Sequence, residues 1–467
     1  MMAHWSSQRF VHRLLPVCVP WLAVIFALTA QPARGIPAFA RKYGTSCLTC
    51  HTIYPKLNPF GEAFRRNGYR FPGVDSDAVK HETIALGQDA AKKQFPNSVW
   101  PGAVPASIPI ALGFDGQAVF HPKASAGGTQ ADNGAKVNLT DLVGEAHVWA
   151  GGSFDDQITF FGQVTTDDTG TSIEQASVHF NDLLFGKHYF NVAVGKDVPT
   201  ISSFGSHSSY LADTLLPALS TTALYGATSE SWNVTNEYNE IEVTGTVGGR
   251  LDYSVGVNAG SNINVQNPND FYAHLGYKFG GMPLDAEASS APPDPMKPWA
   301  ERSVTLDGFY YRSISQFTAA DGSSLSDGAK TYGGAIRAQL DSWELNTGLY
   351  KEQHDAVMVG ATGVDATAQY NELSWVAYPW LVPAVRLEYL RLRPDVGPEV
   401  TDARWILGAA ILARPNLKFT VTGWIESASG APPGGWGPAG GFAIPATPTG
   451  SVGREIEAIT VGMAFAF

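Results

Sequence analysis

Charge is what this sequence has least of. Asp, Glu, Lys and Arg make up 16% of its 467 residues, against roughly 25% in ordinary soluble domains. The charge that is present leans acidic, with a formal net of −12. Such a surface disfavours nucleic acid and suits cationic partners such as metal ions. Cysteine is scarcer still, at Cys18, Cys47 and Cys50 only. Past residue 35, no apolar run approaches the ~18 residues that mark a transmembrane helix. A chain lacking such runs can span a membrane only as a closed barrel. Glycine, at 49 residues, and aromatics, at 11%, are plentiful instead. That balance suits a transmembrane β-barrel or a secreted β-rich protein.

Residues 1–35 read as an export signal. Arg9 and Arg13 supply its positive start, and Val17 to Ala30 its short apolar core. Small residues follow, with cleavage expected after Ala30 or Gly35. The apolar run is short of the ~20 residues a span needs. Cys18 leaves with this segment, as do three arginines, which takes the formal charge from −12 to −15.

The two remaining cysteines stand as Cys47-x-x-Cys50-His51. That spacing is the signature of covalent haem attachment: two thiols add across the haem vinyl groups and the adjacent histidine ligates the iron. A simple disulfide or a metal-binding pair is the alternative. Downstream, Asn58 suits a helix N-cap and Pro59 its first position. Phe60, Ala63 and Phe64 then share one helix face. Arg65 and Arg66 suit the C-terminal end, and Asn67-Gly68 a stop. The two phenylalanines face either a haem or ordinary packing under the loop. No methionine lies between Met2 and Met282, so a nearby methionine cannot be the sixth iron ligand. His81 is the nearest downstream histidine. Its competitors are Lys56, a barrel histidine, water or an open position.

From about Ile110 the pattern becomes period-two. Leu251, Tyr253, Val255, Val257 and Ala259 form one face against Arg250, Asp252, Ser254, Gly256 and Asn258. Phe271, Ala273, Leu275, Tyr277 and Phe279 repeat the pattern, as do Phe419, Val421 and Ile425. Alternation over ~10 residues is the signal of an outer-membrane barrel strand. Sixteen such strands can be placed, from 110–120 to 455–467. Tight joins such as Gly248-Gly249 and Arg414-Pro415 alternate with long stretches such as 198–237 and 427–454. Two joins sit badly: 282–301 is long for a turn and 167–171 short for a loop, which leaves room for an extra strand near 221–228. The final strand places Ile459, Val461, Met463, Phe465 and the terminal Phe467 on one face. The polar face of these strands carries Glu145, His147, His179, Glu240, Glu242, His274, Glu344 and Arg386. These keep an interior polar, and some could meet the haem segment or a metal ion. Asp167 and Asp168 form a solvated turn or a cation attractor.

The stretch "IPAFARKYGTSCLTCHTIYPKLNPFGEAFRRNGYRFP", residues 36–72, resembles the N-terminus of fused monohaem cytochrome–porins of the bacterial outer membrane, whose best-known members are iron oxidases. The shared features are the haem motif, the run Leu57-Asn58-x-Phe60-Gly61 and Asn67-Gly68-Tyr69. The resemblance is close over 36–72 and architectural beyond. It implies a mainly β protein: a transmembrane antiparallel barrel of about sixteen strands over 109–467, preceded by a small helical c-type cytochrome domain over 36–108. It implies one covalently attached haem c, held by Cys47, Cys50 and His51. It also implies electron transfer at the outer membrane, from an extracellular donor such as Fe(II) to a periplasmic electron carrier. That would make the chain an Fe(II):cytochrome oxidoreductase or an electron carrier. Outward electron flow, or a haem-bearing porin without iron-oxidase activity, is the alternative.

Overall fold

The computed structural model describes residues 38–73, 83–85, 89–98, 103–105, 109–121, 136–139, 142–154, 157–201, 207–211, 220–221, 232–233, 237–259, 270–287, 294, 296–318, 324–358, 362–396, 399–429 and 458–467. The export signal, His81 and most of 221–228 therefore lie outside the described residues.

Sixteen antiparallel strands close into a barrel. They are β1 (Ile110–His121), β2 (Lys136–Asn138, continued by Glu145–Ser153), β3 (Ile158–Thr166), β4 (Thr171–Phe180), β5 (Asn191–Asp197), β6 (Tyr238–Val247), β7 (Leu251–Asn258) and β8 (Asp270–Gly280). Then follow β9 (Glu301–Thr318), β10 (Ser324–Asp341), β11 (Trp343–Met358), β12 (Thr362–Trp375), β13 (Leu381–Pro394), β14 (Val400–Arg414), β15 (Leu417–Ser429) and β16 (Ala458–Ala466). Each strand pairs with its sequence neighbour, and β16 closes on β1 from Ile459↔Phe120 to Ala466↔Gly113. Closure removes every free strand edge.

The two awkward joins are real features, and among the described residues the barrel closes with sixteen strands. Asp167 makes the short β3–β4 join possible: its carboxylate accepts from the Thr169 and Gly170 amides at 2.8 and 2.9 Å. The long β8–β9 connection lies at the same end as the short turns. There Gly248 and Gly249 join β6 to β7 with φ of 59° and 65°, a left-handed pair that suits glycine. Ser220–Thr221 pairs with Trp232–Asn233 in a separate two-stranded ribbon outside the barrel sheet.

Alternation sorts the two faces as the sequence led us to expect. Ile241, Val255, Val257, Leu275 and Leu349 point outward and are exposed, while Glu240, Glu242, Ser254, Glu344 and Arg386 point inward and are buried. Burial of the inner face comes from what fills the lumen. Residues 38–73 form a plug of helix α1 (Ala38–Tyr43), a tight 3-10 turn (Cys47–Thr49), a ribbon (His51–Ile53 with Lys56–Leu57) and helix α2 (Pro59–Arg66). The expectation of a small helical domain over 36–108 is corrected here: among the described residues of that stretch the helices are short, and 38–73 do not form a unit of their own. Pro37–Phe467 is one compact unit, and the segment is lodged inside the barrel near the turn end. So short a segment cannot bury a core of its own. It borrows the barrel's: Ile53 packs with Tyr210, Trp299, Val376, Val382, Ala410 and Leu412.

Ion pairs fix the plug in place. Lys56 pairs with Glu344, and Glu62 with Arg337. Arg337 also binds Glu344 at 3.0 Å. Arg66 reaches Asp252 at 3.0 Å and Arg70 reaches Asp182 at 2.9 Å. Burial by itself would raise the Glu62 pKa, but Arg337 and Arg66 hold it at about 2. Among the described residues, no helix is long and apolar enough to cross a membrane.

Candidate functional site

The site begins with Ser46, whose hydroxyl accepts from the Leu48 amide at 3.3 Å and starts the 3-10 turn. The Cys50 amide donates back to Cys47 O at 3.2 Å. Asn58 then locks this turn onto α2. Its carboxamide oxygen caps the helix at the Gly61 amide, at 2.9 Å, as its position before Pro59 led us to expect. Its side-chain nitrogen donates to Leu48 O at 3.1 Å and Thr49 O at 3.0 Å. Its backbone amide donates to Cys50 O at 2.9 Å. Gly61 completes the clamp: a Cβ there would lie 2.0 Å from Cys50 O. One buried asparagine and one glycine thus seat the Cys-x-x-Cys-His turn.

Cys47, Cys50 and His51 all line one lumen cavity of about 1340 Å³, larger than the ~300–1,000 Å³ usual for small-ligand sites. Both cysteines are free and half-buried. Burial pushes both thiols up, Cys50 to about 12, so neither is the low-pKa thiolate of a catalytic cysteine. His51 Nδ1 stands 3.1 Å from Pro55 O. A carbonyl can only accept, so Nδ1 carries the proton and Nε2 keeps its lone pair. Burial outweighs these backbone contacts and lowers the His51 pKa to about 4. A neutral imidazole oriented through one nitrogen is the arrangement of a metal-ligating histidine. The donor set therefore fits a covalently held haem: two unbridged thiols, an oriented neutral imidazole and a large shared cavity.

The other expected residues divide. Phe64 lines the cavity and sits in an aromatic cluster, with ring centroids 5.1 Å from Phe39, 5.8 Å from Tyr43 and 5.9 Å from Phe71. Phe60 packs on Phe71 at 5.0 Å and is absent from the cavity lining among the described residues. His81 lies outside the described residues. Lys56 is withdrawn into its pairing with Glu344 and a 2.6 Å hydrogen bond to Ser208 O. His147 and His179 face the cavity.

Sequence reasoning missed His207. It lies in the long β5–β6 connection, and its Nδ1 is 3.3 Å from the same Pro55 O that His51 uses. Burial lowers its pKa to about 3. A residue in a long connection carries no period-two signal, so only the fold reveals this approach. Trp149 was missed too. Its ring stands 6.4 Å from Tyr54, which is 5.4 Å from His51.

No protein-family model matches the chain, and no curated protein matches its sequence. Solved structures do match in fold. The anion-selective porin from Comamonas acidovorans aligns over 77% of this chain and 99% of its own, with a TM-score of 0.50 at 11% identity. OmpT, an outer membrane protein of Vibrio cholerae, aligns over 77% and 96%, with a TM-score of 0.48 at 11% identity. The closed sixteen-stranded sheet and the likeness to the Comamonas acidovorans porin give the chain a porin-type barrel fold.

Proposed function

We propose that this protein transfers electrons at the bacterial outer membrane through one haem c attached to Cys47 and Cys50 and ligated by His51. The barrel's outer face would meet lipid. The carrying observation is that Cys47, Cys50 and an imidazole already oriented by Pro55 converge on one cavity inside the lumen. Bound haem would supply a one-electron couple whose potential follows its axial ligand and burial. The chain's own residues do the rest. Pro55 O holds the His51 tautomer, and Asn58 and Gly61 fix the turn. Tyr43, Phe64 and Phe71 limit water along one wall. An extracellular donor such as Fe(II) and a periplasmic electron carrier are the partners this reading names, which makes the chain an Fe(II):cytochrome oxidoreductase.

Cavity residues at both ends of the barrel support a route through it rather than a buried dead end. Asp167 and Asp168 lie at the loop end, and Asn416 and Pro415 at the turn end. The rival reading of a haem-bearing porin draws on the same barrel. The ion-paired plug speaks against free solute flow, since residues 38–73 are held in the lumen that an open porin leaves to water.

The test is expression of the full chain with a c-type haem maturation system. Covalent haem should survive denaturing electrophoresis, and Cys47→Ser with Cys50→Ser should abolish it. His51→Ala should lose the normal haem spectrum; an unchanged spectrum would remove His51 as ligand. Stopped-flow mixing with Fe(II) then separates the donor reading from outward flow.

A further inference from the structure

The lumen cavity carries a second set of donors that the haem reading does not use. Asp115 on β1 and Glu145 on β2 are direct cross-strand partners. His147, two residues along the same face of β2, joins them. Its Nε2 is 2.8 Å from Asp115 Oδ2 and 3.6 Å from Glu145 Oε2. One ligand atom from each of the three residues lies within 4.8 Å of the other two.

Three further observations separate this group from a chance meeting of polar side chains. Like charges directly opposite on an antiparallel pair destabilise it, and among the described residues neither carboxylate has a lysine or arginine partner. The two carboxylates share a single imidazole as their partner, so one proton at most stands against two negative charges and a cation is needed to neutralise the rest. The histidine is fixed from outside the group: Nδ1 lies 2.9 Å from Thr165 Oγ1, and Trp149 stacks on the ring at 5.1 Å. Nε2 is thereby aimed at the carboxylates and donates its proton to Asp115, a proton that a metal ion bound between the three groups would displace. All three residues also line the cavity, so an ion has room and access.

We infer that Asp115, Glu145 and His147 bind a divalent first-row metal cation in the barrel lumen. One imidazole nitrogen with two carboxylates is a mixed donor set that suits Mn(II), Fe(II) or Zn(II). Ligand bonds of about 2.0–2.2 Å set donors roughly 3–3.5 Å apart, so small side-chain rotations close the site around the ion. The site stands on its donors and does not need the haem. On the electron-transfer reading, a bound redox-active ion would sit beside His147, from which Trp149 and Tyr54 lead to His51 at ring spacings of 5.1, 6.4 and 5.4 Å. That consequence rests on the haem reading, whereas metal binding does not.

The test is Mn(II) titration of the full-length protein folded in detergent, followed by loss of the free-ion electron paramagnetic resonance signal. Saturation at one Mn(II) per chain is expected. Glu145→Gln and His147→Ala should each weaken binding at least about tenfold. Glu399→Gln, whose carboxylate is paired with Arg391 outside the cavity, should leave it unchanged. Glu145→Gln preserves side-chain shape and decides the matter where His147→Ala fails to fold. Absence of saturable binding, or equal binding by the Glu145→Gln variant, overturns the site. Because the signal reports Mn(II) itself, the result is independent of whether haem is attached.

Discussion

At the residue scale, the site depends on two residues that touch no reacting group. Asn58 is buried and spends both ends of its carboxamide within the plug, one on α2 and the other on the Cys-x-x-Cys turn. Removing it strands the Leu48 and Thr49 carbonyls and the Gly61 amide. A lost cap costs about 0.5–2 kcal/mol, and each buried group left unsatisfied about 1–3 kcal/mol. Asn58→Asp keeps the cap but loses both donors to the turn. Asn58→Ala should therefore lower the yield of covalently loaded protein more than Asn58→Asp does. Gly61→Ala should lower it at least as far, because its Cβ would collide with Cys50 O. Haem stain normalised to folded barrel measures both. Equal loading in all three variants would mean that the turn seats itself without the clamp.

At the element scale, the plug is a charged insert held in a charged wall, which makes its docking sensitive to acid. Glu62 on α2 is pulled down to about 2 by Arg337 and Arg66, against an ordinary value of 4.5. A carboxyl depressed on folding contributes stability above its unfolded value and loses it as pH falls through its folded one. The contribution of Glu62 is thus full above about pH 4.5 and disappears on approach to pH 2. Plug release, followed by limited proteolysis within residues 38–73, should begin in that window in the wild type. Glu62→Gln should release more readily at neutral pH and lose that part of the acid dependence, since Arg337 keeps only Glu344 as its buried partner. Removing one partner of a fully buried pair typically costs about 3–5 kcal/mol, and loss of the Glu62 charge, which is part-buried, should cost less than that. A Glu62→Gln variant with an unaltered acid profile would show that other contacts hold the plug.

At the scale of the whole molecule, the barrel was legible because each strand repeats one simple rule. Alternation is local, so Leu251 to Asn258 and Phe271 to Phe279 could be assigned to faces without knowledge of their neighbours. Capping is local too, and α2 began at Asn58 and ended at Asn67 as its residues indicate. The lodging of the plug was not legible, because Lys56–Glu344 and Glu62–Arg337 join residues 288 and 275 apart in sequence. Nor was the Asp115–Glu145–His147 group, which exists only in the register of β1 on β2. What the barrel faces follows from its outside. Leu275, Leu349, Leu373 and Leu407 stand exposed there, and a belt of aromatics marks the turn end. In that belt Trp343 stacks on Trp375 at 5.4 Å and Tyr378 on Trp380 at 5.5 Å. Such a girdle beside an apolar band belongs at a lipid interface. Leu349 lies six residues along β11 from Trp343, which is roughly half the height of a ~25 Å apolar band for a strand tilted ~45°. Leu349→Arg should therefore destabilise the folded barrel by about 2–4 kcal/mol in lipid bilayers. Reversible urea unfolding in liposomes reads this directly. Around a water-exposed exterior the same change would be nearly silent, within roughly 0.5 kcal/mol. A silent Leu349→Arg would place the apolar face against something other than lipid.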